Sequence, residues 1–336
     1  MKKSLLALAV LGAFAGAASA QSSVTIYGSL DQAVSKGNGG TASNPGANGT
    51  SKAWQVRESN GSRLGFRGNE DLGGGLSAQF QIEHRFTPDT GALTNANVFW
   101  QGRSYVQLSS ASAGRVYLGR EYAPVFWPAV KSDPFGWDGV GQMGTFEWAG
   151  YLTTSGVRVN NTVGYRSPSW GGFTVNAAVG LGEAATSRAN GFNAEYAAGP
   201  IYAAFGYEKL NKGPVTTDGN SVANFAFHYD LGMIKPIFYY ARAKVTAGGV
   251  GGAATNKFWQ LAALAPVGGG TIKAAYGRLD YDKVLFGGVD TKSSKLGLGY
   301  DYPLSKRTNL YADVGWAKQD NKSNNSAYAF GVKHTF

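Results

Sequence analysis

Histidine offers the most direct test for catalytic chemistry in this sequence, because only three imidazoles occur, at His84, His228 and His334. Imidazole catalysis needs a nucleophile and an orienting acid within hydrogen-bond reach, and no Ser or Asp arrangement near these positions specifies such a triad. The alternation of neighbouring residues puts His84 and His334 on the apolar side of their segments. His228, near Asp230, can face the polar side, where we interpret it as an ordinary polar residue. The imidazoles therefore argue against an enzyme.

Metal and cofactor chemistry has equally little support. The chain has no cysteine, which excludes disulfides and thiolate metal sites. His, Asp and Glu are not clustered at ligand spacing, although loop carboxylates can hold calcium weakly. The glycine clusters at 73–75 and 248–252 lack the Lys-Ser/Thr pair and the helix that a phosphate-binding loop requires. We therefore predict no cofactor and no metal site.

Arginine carries the remaining chemistry. Stretches with a two-residue period put seven arginines on the polar side of their segments. These are Arg63, Arg67, Arg85, Arg103, Arg115, Arg158 and Arg166. A guanidinium group stays charged at any working pH, so several on one wall of a narrow aqueous neck concentrate anions and oppose cations. The alternative for any one of them is a simple ion pair with a carboxylate such as Glu83.

Short strands with two unlike faces are the elements that position these arginines. From Ser23 onward, Val24, Ile26 and Leu30 alternate with polar residues, which indicates a strand with one apolar face. The same pattern begins again near 64 and 76, and thirteen further segments repeat it. They lie near 100–109, 115–121, 157–167, 173–182, 192–198, 201–208, 222–230, 233–245, 257–267, 271–281, 292–302, 310–318 and 327–336. We therefore predict sixteen strands.

The connections between these strands alternate in length. Seven short turns, such as 71–75 and 110–114, alternate with eight longer polar loops, such as 35–60 and 87–98. A soluble sandwich has no reason to collect its long loops at one end, whereas an outer-membrane barrel has short periplasmic turns, long external loops and an even strand number. The predicted fold class is all-β, a 16-stranded antiparallel transmembrane β-barrel.

The apolar face of each strand then points to lipid and the charged face to the lumen. For three strands near the C-terminus we expect these lipid-facing residues: Leu296, Leu298, Tyr300, Leu310, Ala312, Val314, Trp316, Tyr328, Phe330 and Val332. The segments 233–245 and 271–281 alternate less cleanly, and their faces stay open. Sixteen strands enclose a lumen too wide for side chains to fill, which predicts an aqueous channel.

The first twenty residues and the overall charge further limit the class of protein to which the chain can belong. Lys2 and Lys3, an apolar run at 5–15 and small residues at 18–20 are typical of a cleavable signal peptide, so we expect residues 1–20 to be removed and 21–336 to form one barrel domain. The formal net charge is +10, and +8 without Lys2 and Lys3. The basic residues are scattered rather than grouped in runs, which argues against a nucleic-acid partner.

The longest segment without a regular period is 122–155. It contains Pro124, Pro128 and Pro134, which discourage regular structure, and several aromatic residues that can hold it against an inner wall. These are Phe126, Trp127, Phe135, Trp137, Phe146 and Trp148. We predict that this third long loop folds back into the barrel and narrows its pore.

Four blocks of sequence resemble a known family, the general-diffusion porins of Gram-negative bacteria, in the branch found in betaproteobacteria. The blocks are SSVTIYGSLD at 22–31, GSRLGFRGNEDLGGGLSAQFQIE at 61–83, GRVYLGREYAP at 114–124 and AYAFGVKHTF at 327–336. The resemblance covers the chain after residue 20. It implies an outer-membrane homotrimer, surrounded by outer-membrane lipid and lipopolysaccharide, through which small hydrophilic solutes and inorganic anions diffuse passively. It also implies a second loop that contacts the neighbouring subunit.

The same resemblance implies where the pore is narrowest. The family sets an arginine cluster on the barrel wall against acidic groups of the third loop, and Arg63, Arg103 and Arg158 match that cluster, with Arg67 and Arg85 nearby. The candidate acids on or beside the loop are Glu121, Asp133, Asp138 and Glu147. The loop lacks the PEFGG signature of enterobacterial porins. Phe336 occupies the place of the C-terminal aromatic residue that the outer-membrane assembly machinery reads.

We therefore predict an outer-membrane porin with an anion preference and no enzymatic activity. A substrate-specific channel of the same architecture is the alternative, followed by a barrel enzyme or an adhesin. Arg, Gln, Asn, Thr and Ser dominate the predicted lumen faces, whereas a sugar-specific channel would favour a ladder of aromatic residues there. This composition favours general diffusion.

Overall fold

The computed structural model describes residues 22–37, 53–144, 156–184, 187–211, 219–247, 252–283, 289–322 and 324–336. Several predictions lie outside these residues, namely the signal peptide at 1–20, the candidate acid Glu147, the aromatic residues Phe146 and Trp148, and the part of the predicted constriction loop from 145 to 155. In the described ranges, no helix is long and apolar enough to cross a membrane.

Strands account for nearly all of the described chain. They are β1 (Ser23–Gly37), β2 (Trp54–Arg57), β3 (Arg63–Gly73), β4 (Leu76–Thr87), β5 (Ala92–Leu93), β6 (Ser104–Ser110), β7 (Gly114–Tyr122), β8 (Arg158–Arg166), β9 (Phe173–Gly180), β10 (Arg188–Ala198), β11 (Ile201–Asn211), β12 (Ser221–Tyr229), β13 (Lys235–Ala247), β14 (Gly252–Val267), β15 (Gly270–Tyr281), β16 (Thr291–Pro303), β17 (Thr308–Gln319) and β18 (Asn325–Thr335). One helix, α1 (Phe126–Ser132), and one 3-10 turn, Gly182–Ala184, complete the described elements.

The sheet closes on itself. Neighbouring strands pair antiparallel around the ring, and β1 joins its two ends by pairing with β3 and with β18. Within the described chain, sixteen long strands form the wall, while β2 extends the pairing of β1 and β5 that of β4. Among the described strands, closure leaves no unpaired edge, as a membrane barrel requires. The predicted 16-stranded antiparallel barrel is confirmed.

The two faces of the wall differ as the alternation predicted. Phe330, Leu298 and Val332 are 53%, 46% and 42% exposed, while Gln107, Asn224 and Gln260 on the other face are buried. The remaining residues predicted to face lipid are exposed or half-buried on the same outer side. Apolar side chains on the outside and polar ones on the inside are the reverse of a soluble core and suit a barrel in lipid.

The structure also assigns the inner face of the segment 233–245, which the sequence left open. On β13, Ile237, Tyr239 and Ala241 point inward and are buried, although they are apolar. The reason is that α1 packs against this part of the inner wall, where Phe126 and Ala129 belong to the same buried cluster. An apolar inner patch disrupts the simple alternation because both faces of the strand are then apolar.

Candidate functional site

The predicted arginines lie on one side of the barrel, on strands that are neighbours in the sheet. Arg63 and Arg85 are direct partners across β3 and β4, and Arg115 and Arg166 are partners across β7 and β8. Arg103 precedes β6, whose first residue pairs with β4 and β7. The two-residue period therefore places these side chains on the inner face, and strand pairing brings them together.

Glu121 neutralises part of this basic wall. Its side chain is 1% exposed, and its carboxylate accepts hydrogen bonds from Arg103 Nε at 2.9 and 3.1 Å and from Arg103 Nη2. Arg166 Nη2 lies 3.4 Å from Glu121 Oε2. The Tyr122 backbone N–H donates to the same carboxylate at 2.6 Å. Glu121 is therefore a wall residue shared by two arginines.

The Tyr122 hydroxyl joins two further arginines. Arg85 Nη2 donates to it at 3.3 Å and Arg158 Nη2 at 3.2 Å. The guanidinium groups of Arg158 and Arg103 lie 4.8 and 5.6 Å from the centroid of the Tyr122 ring. The negative face of an aromatic ring attracts cations. Tyr122 thus holds three guanidinium groups around one side chain, and the sequence analysis did not single it out.

A second acid lies beside Arg85 and Arg63. Asp138 accepts a hydrogen bond from Asn60 Nδ2 at 3.0 Å, and Arg85 donates to the Gly61 carbonyl at 3.1 Å. Burial raises the pKa of the Asp138 carboxyl, and the positive charges of Arg85, Arg63 and Lys333 oppose that shift. Besides Glu121 on the wall, Asp138 is the predicted acid that lies near the arginines within the described part of the chain.

Asp133 has a different environment. Its carboxylate accepts hydrogen bonds from the backbone N–H groups of Phe135 at 3.0 Å, Trp137 at 3.2 Å, Met143 at 2.8 Å and Gly144 at 3.2 Å. Burial raises the pKa of the Asp133 carboxyl, while these donors and the charge of Lys295 act against the increase. Asp133 closes residues 134–143 into a compact loop and is engaged by its own backbone rather than by the arginines.

The segment from Ala123 to Gly144 contacts the wall across from the arginines. Asn224 Nδ2 donates to the Val125 carbonyl at 2.7 Å, and Gln260 Nε2 donates to the Ser132 carbonyl at 2.6 Å. Lys295 Nζ donates to the Gln142 carbonyl. A side chain on Gly297 would overlap the Gly141 carbonyl oxygen, so glycine permits this close approach. These contacts attach the segment to β12, β14 and β16.

Helix α1 lies within this segment, although the three prolines were expected to discourage regular structure. Pro128 occupies the first turn of α1, where the missing backbone N–H would have had no intrahelical partner. Ring contacts join the helix to its surroundings, with Phe126 at 5.0 Å from Tyr122 and 4.8 Å from Trp137 between centroids. Aromatic packing therefore holds the segment, as its composition indicated.

Two predicted arginines are more exposed than the others, and two lysines add charge that was not predicted. Arg67 lies over the Tyr27 ring, 5.5 Å from its centroid. Arg115 is exposed although it is the direct partner of Arg166 across β7 and β8. Lys131 on α1 pairs with Glu195. Lys333 on β18 lies close enough to Arg63 for the two charges to interact. Because Lys333 follows Val332, which was predicted to face lipid, strand alternation alone could have placed Lys333 on the inner face.

The histidines do not form a catalytic arrangement. His84 Nδ1 lies 2.6 Å from the Phe99 carbonyl, and its ring stacks on Phe99. His228 Nε2 lies 3.0 Å from Ser132 Oγ, and that hydroxyl donates to the Pro128 carbonyl at 2.7 Å. The serine is therefore a helix-end residue, and the arrangement serves packing rather than catalysis.

A closed antiparallel barrel with lipid-compatible outer side chains, a basic inner wall and a long segment attached opposite that wall defines the class of outer-membrane channels. Residues 7–322 match the family of Gram-negative porins. The chain belongs to this family, so it is an outer-membrane porin, a channel for passive diffusion and not an enzyme. The predicted family, the outer-membrane localisation and the function as a passive diffusion channel are confirmed.

Relatives with established names agree with this assignment. The chain is 36% identical to outer membrane porin protein 32 of Delftia acidovorans over 349 residues, which cover 99% of the chain and 94% of the relative. It is 33% identical to an outer membrane porin protein of Bordetella pertussis over 396 residues and the full length of both. Both organisms represent the betaproteobacterial branch that the sequence blocks indicated.

Solved structures give the same result. An anion-selective porin from Comamonas acidovorans superposes with a TM-score of 0.79 and 29% identity, over 94% of this chain and all of that chain. OmpT of Vibrio cholerae in its trimer form has a TM-score of 0.72 with 15% identity, over 94% of this chain and 99% of that chain. The second likeness is one of fold.

Proposed function

We propose that the channel prefers anions and that the segment Ala123–Gly144 forms its constriction against the arginine wall. The observation that carries this proposal is the grouping of Arg85, Arg103 and Arg158 around Tyr122, across from a segment attached to β12, β14 and β16. Guanidinium groups in a narrow aqueous neck attract anions and raise a barrier to cations.

The charge balance of the described wall supports this preference. Glu83 pairs with Arg85 at 2.8 Å, and Glu121 is shared between Arg103 and Arg166. Arg63, Arg158 and Lys333 add positive charge on the same side; Asp138 faces Arg63 and Lys333, and the charges of Asp31 and Asp301 also act on Lys333. Within the described arginine wall itself, five arginines therefore face three acids, Glu83, Glu121 and Asp138. The anion-selective porin of Comamonas acidovorans, with its 29% identity, points in the same direction.

We further propose a homotrimer, with the 87–98 connection as a subunit contact. Leu93, Val98 and Phe99 in and beside that connection are 41%, 36% and 54% exposed, and burial of such a patch against a second copy is favourable.

Phe336 is 43% exposed and its backbone pairs with that of Gly28. We assign it the role of the assembly signal, and we take lipopolysaccharide as the lipid neighbour of the trimer.

Ion selectivity tests the proposed function. Purified protein in planar bilayers is expected to show large conductance steps and, in a gradient of potassium chloride, a reversal potential of the sign that chloride preference produces. The preference should weaken as salt rises, because the Debye length shortens from about 10 Å at 0.1 M to about 3 Å at 1 M. A reversal potential with the sign of cation preference would overturn the proposal.

The pH dependence of selectivity tests the role of Asp138. Its raised pKa means that it takes up a proton at a higher pH than an ordinary Asp, which titrates at about pH 4. Protonation removes a negative charge facing the arginines. The chloride-to-potassium permeability ratio should therefore increase as the pH is lowered from neutral towards the pH at which Asp138 takes up its proton. Asp138→Asn should show a higher ratio at neutral pH and a flatter profile.

The control for this prediction is Asp89→Asn, which removes an exposed acid of the 87–98 connection. That variant should keep the wild-type profile. If Asp138→Asn titrates as steeply as the wild type, another group controls the selectivity.

A further inference from the structure

A cavity of about 250 Å³ lies on the inner wall of the barrel, between helix α1 and strands β7 to β10. Trp127 and Lys131 of α1 contribute to its lining, together with inner-face residues of the strands. Ser167 and Thr174, on either side of the short turn at 168–172, also line it, which places it at the periplasmic end of the wall. Its volume is below the roughly 300–1,000 Å³ of pockets for drug-sized ligands. The cavity therefore suits a small solute in transit through the channel.

Four inner-face residues of neighbouring strands form a row along this cavity. Arg115 on β7 is the direct partner of Arg166 on β8. Asn176 on β9 continues the row as the partner of Arg166, and Asn193 on β10 as the partner of Asn176. All four residues line the cavity. Because side chains of direct cross-strand partners are neighbours on one face of a sheet, the wall presents two guanidinium groups and two amides side by side.

The cavity carries a net positive charge. Among the described residues that line it, Arg115, Arg166 and Lys131 are basic and Glu195 is the one acid. Lys131 and Glu195 form an ion pair and offset each other. Arg166 is one of the two arginines that share Glu121, and its Nη2 lies 3.4 Å from Glu121 Oε2. After these pairings, the charge that is left over is that of Arg115.

Arg115 has no acid opposite it in the sheet. Its direct cross-strand partners are Ser109 and Arg166, and no ion pair within the described ranges includes its guanidinium group. Like charges directly opposite each other destabilise a sheet. An anion bound between Arg115 and Arg166 would relieve this repulsion, and the exposed side chain of Arg115 is accessible to it.

The two asparagines offer hydrogen-bonding atoms of opposite kinds, although Asn176 and Asn193 are only 6% and 2% exposed. The Tyr117 hydroxyl donates to Asn176 Oδ1 at 3.2 Å, which leaves Asn176 Nδ2 as a donor. Asn193 Nδ2 donates to Glu195 Oε1 at 2.8 Å, which leaves Asn193 Oδ1 as an acceptor. In the part of the chain that the structure describes, neither remaining atom has a partner, and such buried atoms cost free energy. A solute with an anionic oxygen beside a hydroxyl group complements both.

A phosphate monoester fits these groups better than a carboxylate does. It carries about −1.5 to −2 charges near pH 7 and three acceptor oxygens, enough to engage Arg115, Arg166 and Asn176 together, whereas a carboxylate has one charge and two oxygens. Guanidinium groups also match the geometry of phosphate oxygens. We propose that this cavity binds phosphate monoesters of small polyols, with the phosphate on Arg115 and Arg166 and a hydroxyl group donating to Asn193 Oδ1. The proposal rests on the proposed anion preference and names a class of solute for it.

Block of the chloride current by glycerol phosphate tests the proposal. Single channels in planar bilayers are titrated at constant ionic strength with glycerol phosphate, inorganic phosphate or glycerate. For the wild type, the half-saturating concentration of glycerol phosphate is expected to be roughly tenfold below that of either other anion. Inorganic phosphate lacks the carbon-bound hydroxyl groups and glycerate lacks the phosphate, so each loses at least one contact of the site. If either anion blocks at the same concentration as glycerol phosphate, the proposal is wrong.

Two variants test the assigned residues. R115Q removes an exposed guanidinium group, which leaves the buried wall intact, and should raise the half-saturating concentration of glycerol phosphate roughly tenfold. N176D keeps the size of the side chain and the acceptor for the Tyr117 hydroxyl, but it replaces the free donor by a negative charge and should abolish the saturating block. Wild-type block in both variants would overturn the proposal.

The matched control is R67Q. It removes the same charge from the inner face of β3, which is three strands away from β7 in the sheet, and should change the half-saturating concentration less than twofold. Equal effects of R67Q and R115Q would show that the general charge of the lumen, and not the cavity, controls the block.

The reversal potential separates this proposal from the proposed anion preference. It is measured on the same wild-type channels in a gradient of potassium chloride, before any phosphate monoester is added. A chloride-preferring channel that glycerol phosphate does not block contradicts only the binding site. A cation-preferring channel contradicts the proposed function, and with it the passage of phosphate monoesters that the site would serve.

Discussion

Removing residues 134–143 is expected to raise the single-channel conductance on the order of twofold, because the narrowest part of a water-filled pore limits the current. These residues bring Asp138 against the arginine wall. Asp133 accepts a hydrogen bond from Gly144 N–H at 3.2 Å, so the two ends of the deletion already lie side by side and a pair of glycines can join them. Planar bilayer recordings measure the effect.

The barrel itself should survive this deletion. The wall is held by strand pairing that does not involve residues 134–143, and the contacts of Asn224 with Val125 and of Gln260 with Ser132 remain. A deletion of equal length at 88–97, in a largely exposed connection, is the control and should leave the conductance of each barrel unchanged. If the first deletion also leaves conductance unchanged, the segment does not limit the pore.

Replacing Glu121 by Gln is expected to destabilise the folded barrel by about 3 kcal/mol, the lower end of the cost of breaking a buried charge pair from one side. Glu121 is 1% exposed in its side chain, while Arg103 and Arg166 are 16% and 21% exposed. Without the carboxylate, two guanidinium groups face each other with no anion between them. Urea unfolding of the protein in lipid vesicles measures the loss.

Channel selectivity gives a second measurement on the same variant. Removing a negative charge from the arginine wall should increase chloride preference, provided the variant folds. The matched control is Asp280→Asn, because Asp280 pairs with Arg278 at 3.0 Å and the two side chains are 40% and 37% exposed, and such solvated pairs contribute at most about 1 kcal/mol. Equal destabilisation by the two substitutions would show that the pairing of Glu121 with Arg103 and Arg166 is not special.

The wall of the barrel was accessible from sequence because a two-residue period is local. Val332 and Lys333 are adjacent in the chain and must lie on opposite faces of a strand, so each period predicts a face without knowledge of any distant contact. The lengths of the connections supported an even number of strands and separated the end of the barrel with short turns from the end with long loops. The arginine wall could be predicted in the same way. Arg63 and Arg85 lie on the inner faces of two consecutive strands, and consecutive strands of the barrel are neighbours in the sheet.

The partners of these side chains could not be read in the same way. Glu121 and Asp133 were both candidate acids of the third loop, yet the first is bound to Arg103 on the wall and the second to backbone N–H groups of its own loop. Tyr122 draws together arginines from three separate parts of the chain. Each of these outcomes depends on contacts between residues far apart in sequence.

By itself, the sequence determined that this protein is a sixteen-stranded barrel with an apolar exterior, a basic interior and one long aperiodic segment, because periodicity and connection length are properties of neighbouring residues. Only the tertiary structure decided where that segment attaches, which acids face the arginines and that Arg115, Arg166 and Asn176 lie side by side on the inner wall. Strand register and the course of an aperiodic segment are set by long-range packing, which leaves no regular signal in the chain.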